Sequence, residues 1–380
     1  MSKTEDYYDK CNEHKRVKSE IASAYLFPWA NIIGPHAKDI YYLDLFSGRG
    51  KFLDGSAATP LLILDQIQAS SGQIPWILEK LHVSFYEGNR KYFDVLESTL
   101  KSHPVYSRLR HQPIIELKNI DSNFIGEVLR DIKLGTYSFI DPFGYNISLD
   151  LIDAVSSNWG CDCLFYLSIS GLVRNIQEPE KEGSVKKFFG EDGFKRLIET
   201  IEKSPDSDSL SSMILSEIKE SLKIRRKNYR VMKYCIEFDK KRRESHYLMF
   251  ISKNELGIKI MRDIMLKRAT TDNQGFPFLG LSPKMKLEES QTELSLGFPS
   301  DILETFSKKL SSDFNGKEMS LEVLLETCLE REYPLSDAHL RKIIGFLEQK
   351  GKVGVSRFDS NGRERLDKKF QKYDIIKFLN

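Results

Sequence analysis

Residues 41–50 read Tyr41-Tyr42-Leu43-Asp44-Leu45-Phe46-Ser47-Gly48-Arg49-Gly50, and their reading decides the fold. The first half is a short aromatic and apolar run closed by an acid, the pattern of a buried β-strand. The second half is a tight turn through Gly48 and Gly50. A strand that stops at an acid and turns through Gly-x-Gly is how a Rossmann-like sheet opens a nucleotide pocket. Glycine suits this turn because, without a Cβ, it takes backbone angles closed to other residues and lets a ligand lie against the main chain. The third glycine of a dinucleotide fingerprint is missing, residue 53 being Leu, which weakens a nicotinamide reading. An ordinary glycine turn between strand and loop is the plain alternative.

Outward from this stretch, 380 residues are enough for two or three domains. A hydrophobic content of 40% and an aromatic content of 11% can furnish their cores. The net charge of +2 gives no global field toward nucleic acid, so any basic surface must be local. The cysteines, Cys11, Cys161, Cys163, Cys235 and Cys328, are odd in number and scattered. That spacing fits neither a disulfide framework nor a zinc motif. Cys161 and Cys163 flank a strand pattern, where thiols act as small buried hydrophobes, so no metal site is expected. The charged stretch 1–18 has no apolar core of a signal peptide, and no run reaches the roughly 18 apolar residues of a membrane span. The expectation is a cytoplasmic protein without membrane contact.

Residues 13–33 have the spacing of an amphipathic helix, with Ile21, Tyr25, Trp29 and Ile32 on one side and Lys15, Arg16 and Lys18 at its start. It covers either a ligand mouth or the sheet edge. After an insertion at 51–58, Thr59 is expected to cap a helix begun by Pro60. A strand at 82–87 ends in Glu87. Ligands in open α/β sheets bind beyond the carboxyl ends of strands, where a carboxylate can accept from two ribose hydroxyls. Glu87 could equally open the helix at 90–100. A third strand, 113–118, leads to Asp121. A fourth, 136–140, runs into Asp141-Pro142-Phe143-Gly144-Tyr145.

This second stretch has chemistry of its own. Asp141 and the Pro142 carbonyl can accept N–H bonds from an amine. Phe143 or Tyr145 can stack on a planar substrate. Proline stiffens the loop and pre-organises it. The alternative is a strand-end turn. A fifth strand, 163–167, precedes Arg174, a clamp for an anion or a partner for a surface acid. Strands 229–238 and 247–251 read as a hairpin with a basic tip at 239–244, followed by a helix at 257–268. Residues 269–300 turn to Thr, Gln, Gly, Pro and Ser and read as a linker.

The last 80 or so residues carry helices at 301–313, 320–331 and 336–350, then a hairpin, the order of a winged helix-turn-helix. Between 341 and 377 stand 11 basic and 5 acidic residues. Arg341, Lys342, Arg357, Arg363 and Arg365 are the candidates to grip nucleic acid, with Arg174 beside the sheet. A protein-binding winged helix stays open, because the first two helices are acidic.

The acid-x-x-x-Gly-x-Gly turn at Asp44 is similar to the S-adenosylmethionine (SAM) turn of class I methyltransferases. The loop 141–145 resembles the Asp/Asn-Pro-Pro-Tyr loop of amino-group methyltransferases. Together with Tyr25-Leu26, Trp29, Asp54-Gly55, Thr59-Pro60-Leu61, Phe85-Tyr86-Glu87, Arg174-Asn175, Phe188-Phe189-Gly190, Tyr247-Leu248-Met249-Phe250, Gly257 and Met261, these pieces make the chain resemble the three-Cys-motif partner family. Ser47 stands where the family commonly has Ala, and Thr59 where it has Ser.

The resemblance implies an α/β fold, a Rossmann-like class I methyltransferase sheet with flanking helices over 1–268. It adds a linker at 269–300 and a C-terminal winged helix-turn-helix domain at 301–380. It implies SAM as cofactor, bound by Asp44, Phe46, Gly48 and Gly50 on the methionine side, Glu87 at the ribose and Asp121 at the adenine. Asp141, Pro142, Phe143 and Tyr145 would hold the acceptor, an exocyclic amine of a DNA or RNA base. Cytosine-C5 chemistry is disfavoured, since it needs Pro-Cys where 142–143 is Pro-Phe. A genomic partner bearing three cysteines is also implied. The rival expectation is a methyltransferase fold without turnover that senses SAM or binds nucleic acid.

Overall fold

The computed structural model describes residues 11–120, 135–142, 147–178, 182–203, 210–239, 244–269, 280–281 and 300–379. The chain divides into two compact units, Met1–Ile264 and Met265–Asn380.

The first unit is built on β1 (Ile40–Asp44), β2 (Leu81–Glu87), β3 (Ile114–Leu117), β4 (Thr136–Ile140), β5 (Asp162–Ser168), β6 (Arg230–Asp239) and β7 (Glu244–Ser252). They lie in the order β3-β2-β1-β4-β5-β7-β6. Strands β1 to β5 are parallel. Strand β7 inserts antiparallel between β5 and β6. The chain steps outward from β1 to β3 and returns on the other side at β4. That switch point beside the carboxyl end of β1 is where open α/β sheets take their ligands. The unit is thus a mixed α/β fold, seven mostly parallel strands with flanking helices.

Side-chain pattern explains the layering. All five residues of β4 are buried, as a central parallel strand covered on both faces requires. Strand β3 is an edge and mostly exposed. On one face Leu43, Ile140 and Phe165 pack under the helices Leu149–Ser156, Ile169–Gln177 and Leu210–Arg225. On the other lies the helix Glu13–Ile33, capped by Asn12, whose side chain accepts from Lys15 N at 2.9 Å. Three long-range bonds fix this helix to the sheet. Tyr25 donates to Asp162 Oδ2 at 2.7 Å, Trp29 Nε1 to Gly160 O at 3.1 Å, and Tyr137 to Ala22 O at 2.8 Å.

One expected cap is corrected. The helix Thr59–Ser70 has Ala58 at its N-cap and no side-chain cap bond. Thr59 is already helical, and its hydroxyl donates to Ser19 Oγ at 3.0 Å, tying two helices instead of one helix end.

The second unit has helices Ser300–Asp313, Leu321–Glu330 and Asp337–Gln349 and strands Glu318–Ser320, Val353–Ser356 and Ile375–Phe378. The strands form an antiparallel sheet with Ile375–Phe378 in the middle. Leu310, Phe314, Leu324, Ile343, Ile344 and Ile376 form its core. The third helix starts with a capping box between Ser336 and His339. Asp374 is fully buried and accepts from Phe358 N at 3.0 Å, Gln371 N at 2.8 Å and Arg365 Nη2 at 2.9 Å. Removing that acceptor orphans two backbone donors and takes from Arg365 its buried carboxylate partner. Asp374→Ala is therefore expected to lower the melting temperature of this unit by several degrees, read by calorimetry of the full chain. Among the described residues no helix is long and apolar enough to cross a membrane.

Candidate active site

Strand β1 delivers Asp44, fully buried, to the switch point. The chain then turns through Gly48 at φ 64° and Gly50 at φ 77°, a left-handed geometry that side chains resist. Ser47 N donates to Tyr86 O at 2.9 Å, and Gly48 N donates to Glu87 Oε2 at 2.8 Å. The turn is thus stitched to the end of β2. A Cβ on Gly50 would stand 3.1 Å from Leu96 Cδ1. Gly50→Ala is expected to cost about 1–2 kcal/mol from the positive φ alone, checked by denaturant unfolding.

The insertion folds as a small loop closed by the Lys51–Ala57 bridge and by Ala58 N donating to Gly50 O at 3.0 Å. With it, a cavity of about 350 Å³ forms at the carboxyl ends of β1, β4 and β5. Asp44, Phe46, Gly48 and Arg49 line one side, Lys51 and Phe52 the insertion side, and Lys15, Lys18 and Ser19 the helical side. Asp141, Pro142, Tyr166, Ser168, Arg174 and His246 close the far end.

The charges are unevenly placed. Burial pushes the Asp44 carboxyl up to about 8; the Phe46 N–H bond opposes this, and the nearby Asp141 and Glu87 carboxylates add to it. Asp44 Oδ1 accepts from Phe46 N at 3.2 Å, whereas Oδ2 is buried with no hydrogen-bond partner among the described residues. Across the cavity, Lys18 Nζ lies 2.5 Å from Asp141 Oδ2 and 4.5 Å from the Tyr166 ring centroid. His246 stacks on Tyr166 with ring centroids 5.4 Å apart. Burial, with the positive charge of Lys18, His14 and Arg174, lowers its imidazole to about 4, so it is neutral at pH 7.

The cavity brings together Asp44, Phe46, Gly48, Asp141, Pro142 and Arg174 of the expected residues. Gly50 shapes the turn from behind and Glu87 is not in the wall. Glu87 accepts through Oε2 from Gly48 N and through Oε1 from Asn89 N at 2.6 Å. Burial raises its carboxyl above the usual range, against those backbone bonds. Asp121, Phe143 and Tyr145 lie outside the described residues, as do Lys240–Arg243 of the basic tip. In the second unit Arg357 makes two bonds to Glu348, at 2.8 and 2.7 Å. Arg365 holds Asp367 and Asp374, and Arg341 donates to Phe370 O at 3.0 Å. Lys342 and Arg363 are exposed.

Sequence reasoning assigned no role to Ser19, Tyr166, Ser168 or His246. Tyr166 and Ser168 alternate on one face of β5, a faint signal; nothing in the sequence points to His246. A second cavity, of about 540 Å³, is lined by Tyr25, Trp29, Trp159, Asp162 and Lys253. It sits at the amino end of β5, away from the carboxyl-end switch point, and its Asp162 is already bound by Tyr25.

No family model and no curated protein sequence matches the chain. Solved structures do. A co-crystal structure of WbdD with the kinase inhibitor LY294002 aligns at 10% identity and TM-score 0.33, over 65% of this chain and 42% of that one. A SAM-dependent methyltransferase from Agrobacterium tumefaciens aligns at 9% identity and TM-score 0.31, over 61% of this chain and 62% of that one. The plantazolicin methyltransferase BpumL, in complex with SAH, aligns at 12% identity and TM-score 0.31, over 66% and 90%. In the first two of these alignments the chain spans 42% and 62% of the matched chain, less than two thirds of either.

Proposed function

We propose that the chain is a SAM-dependent methyltransferase acting on an exocyclic amine of a nucleic-acid base. One observation carries the reading: Asp44, with an unpartnered buried oxygen, and Asp141, at the end of β4, line the same cavity. The residues suit SAM. Asp44 Oδ2 can accept from an ammonium, and the turn at Gly48 lets a ligand approach the backbone. Glu87, outside the cavity wall and bonded to Gly48 N and Asn89 N, stays assigned to the ribose. Asp121 stays assigned to the adenine.

SAM, when bound, supplies an electrophilic methyl on a sulfonium. The chain supplies orientation. Asp141 and the Pro142 carbonyl accept the N–H bonds of the amine and aim its lone pair, while Phe143 or Tyr145 stacks on the base. Lys18 holds the Asp141 carboxylate in place. The catalytic unit spans 1–268, a linker 269–300, and a winged helix 301–380. The exposed Lys342 and Arg363, with Lys350, Lys352, Lys368 and Lys369, are its grip on DNA or RNA. A base within a duplex must be flipped out, at a cost of a few kcal/mol. A cytoplasmic setting stays the expectation from the lack of long apolar runs, and the family resemblance adds a partner protein bearing three cysteines.

The test is calorimetric titration with SAM, followed by transfer from labelled SAM to DNA and RNA. Saturable binding and label in either polymer is the expected result. No binding at millimolar SAM would overturn the reading. A second reading, a SAM-binding module without turnover, is favoured by the Lys18–Asp141 pair, which already occupies the acceptor acid. Binding of SAM with no label in either polymer, with or without the partner, would select it.

A further inference from the structure

At the opposite end of the sheet, three metal-ligand side chains converge from three segments. Asp39 directly precedes β1, His82 is the second residue of β2, and His111 lies just before β3. These strands are parallel, so all three residues sit at the amino ends, away from the Asp44 cavity. His82 Nε2 is 3.6 Å and His111 Nε2 4.0 Å from the same atom, Asp39 Oδ1. One ligand atom from each residue lies within 4.8 Å of the other two.

The spacing is informative. Both distances exceed the hydrogen-bonding range of about 2.7–3.2 Å, so neither imidazole bonds this oxygen directly. Ligand atoms held about 2.0–2.1 Å from one tetrahedral ion stand about 3.4 Å from each other. The two edges at Asp39 Oδ1, 3.6 and 4.0 Å, exceed that value by about 0.2 and 0.6 Å, and all three atoms lie within 4.8 Å, so the cluster closes on an ion by a small contraction. Two imidazoles and a carboxylate suit zinc-like ions better than calcium or magnesium, which prefer all-oxygen shells. The side chains are 27%, 34% and 29% exposed for His82, His111 and Asp39, so water can complete the coordination.

The two imidazole rings are stacked, with centroids 3.7 Å apart and planes at 20°, and Tyr41 continues the stack on His82 at 4.7 Å. Near-parallel rings do not aim their lone pairs at one point. An ion is gripped only after the rings turn about their Cβ–Cγ bonds, which opens the stack.

We propose that Asp39, His82 and His111 form a binding site for a zinc-class divalent ion, with a remaining position filled by water, that ties together the entries to β1, β2 and β3. The ligands are 43 and 29 residues apart in the chain, so no short sequence motif announces them. The proposal is independent of the SAM reading.

The test uses the full chain without an affinity tag, stripped with a chelator and titrated with Zn²⁺ by calorimetry. One equivalent should bind, and Co²⁺ in its place should show the visible absorption of a low-coordinate site. His82→Gln and His111→Gln should each abolish that equivalent and the Co²⁺ band. His111 lies outside the strands, so its variant should keep the wild-type circular dichroism and metal-free melting temperature. No stoichiometric Zn²⁺ in the wild type would overturn the proposal. So would undiminished binding in a folded His111→Gln, which would place the ion on the cysteines or elsewhere.

Discussion

Asp141→Asn is expected to slow methyl transfer by about 10²–10³-fold while changing SAM affinity by no more than about threefold. The substitution keeps the shape of the side chain and removes its charge. As an amine attacks a sulfonium methyl, positive charge grows on the nitrogen. A carboxylate beside that nitrogen favours the change, whereas an amide offers only a dipole. Lys18 Nζ, 2.5 Å from Asp141 Oδ2, is part of the calculation. A carboxylate has about four acceptor sites, so it can keep Lys18 and still take an amine N–H. With Asn in place, the Lys18 ammonium faces the reacting nitrogen without an anion between them and opposes the same growing charge. Single-turnover rates at saturating SAM, beside calorimetric Kd, separate the two effects. Unchanged turnover would remove Asp141 from the chemistry. Equal losses of binding and melting temperature would make it a structural residue.

Much of this arrangement is legible in the sequence because it is local. The strand into Asp44, the positive-φ glycines and the strand into Asp141 each need only adjacent residues. The helix at 13–33 follows from a periodic apolar stripe. What is not legible depends on distance in the chain. Nothing near Lys18 says that it will meet Asp141, 123 residues on, because that meeting depends on where the helix lands on the sheet. His246 reaches the cavity only because β7 inserts beside β5, and strand insertion leaves no mark on β7 itself. Arg357 and Arg365 show the reverse error. A count of basic residues makes them candidates for phosphate, but the fold spends them on Glu348, Asp367 and Asp374. Charge tallies cannot tell a surface cation from one that staples a loop.

Asp44→Asn is expected to make the protein more stable and to weaken its hold on SAM by about 10²-fold. The folded state pushes this carboxyl from 3.8 to about 8, chiefly by burial. Between those values the folded chain holds a proton that the unfolded chain releases. Stability from this group therefore falls as pH rises from about 4 to about 8. Asparagine has no proton to lose, so the variant should gain most over the wild type at the alkaline end. At about 1.4 kcal/mol per pH unit the ceiling is several kcal/mol; the cost of burying the amide takes part of it back, leaving a gain of about 1–3 kcal/mol at pH 8. Binding should move the other way, since a charge-assisted hydrogen bond is worth about 1.5–3 kcal/mol, or about 10²-fold in Kd. The same proton links the two effects. An ammonium seated at Asp44 Oδ2 favours the ionised acid, so SAM binding near pH 7 should release up to about one proton from the wild type and none through the variant. Calorimetry in two buffers of different ionisation enthalpy counts that proton, and unfolding from pH 5 to 9 gives the stability profile. A variant less stable than wild type at every pH would mean that Asp44 is held ionised by the fold. SAM binding near pH 7 would then release no proton from Asp44, although the ionised carboxylate would still take an ammonium.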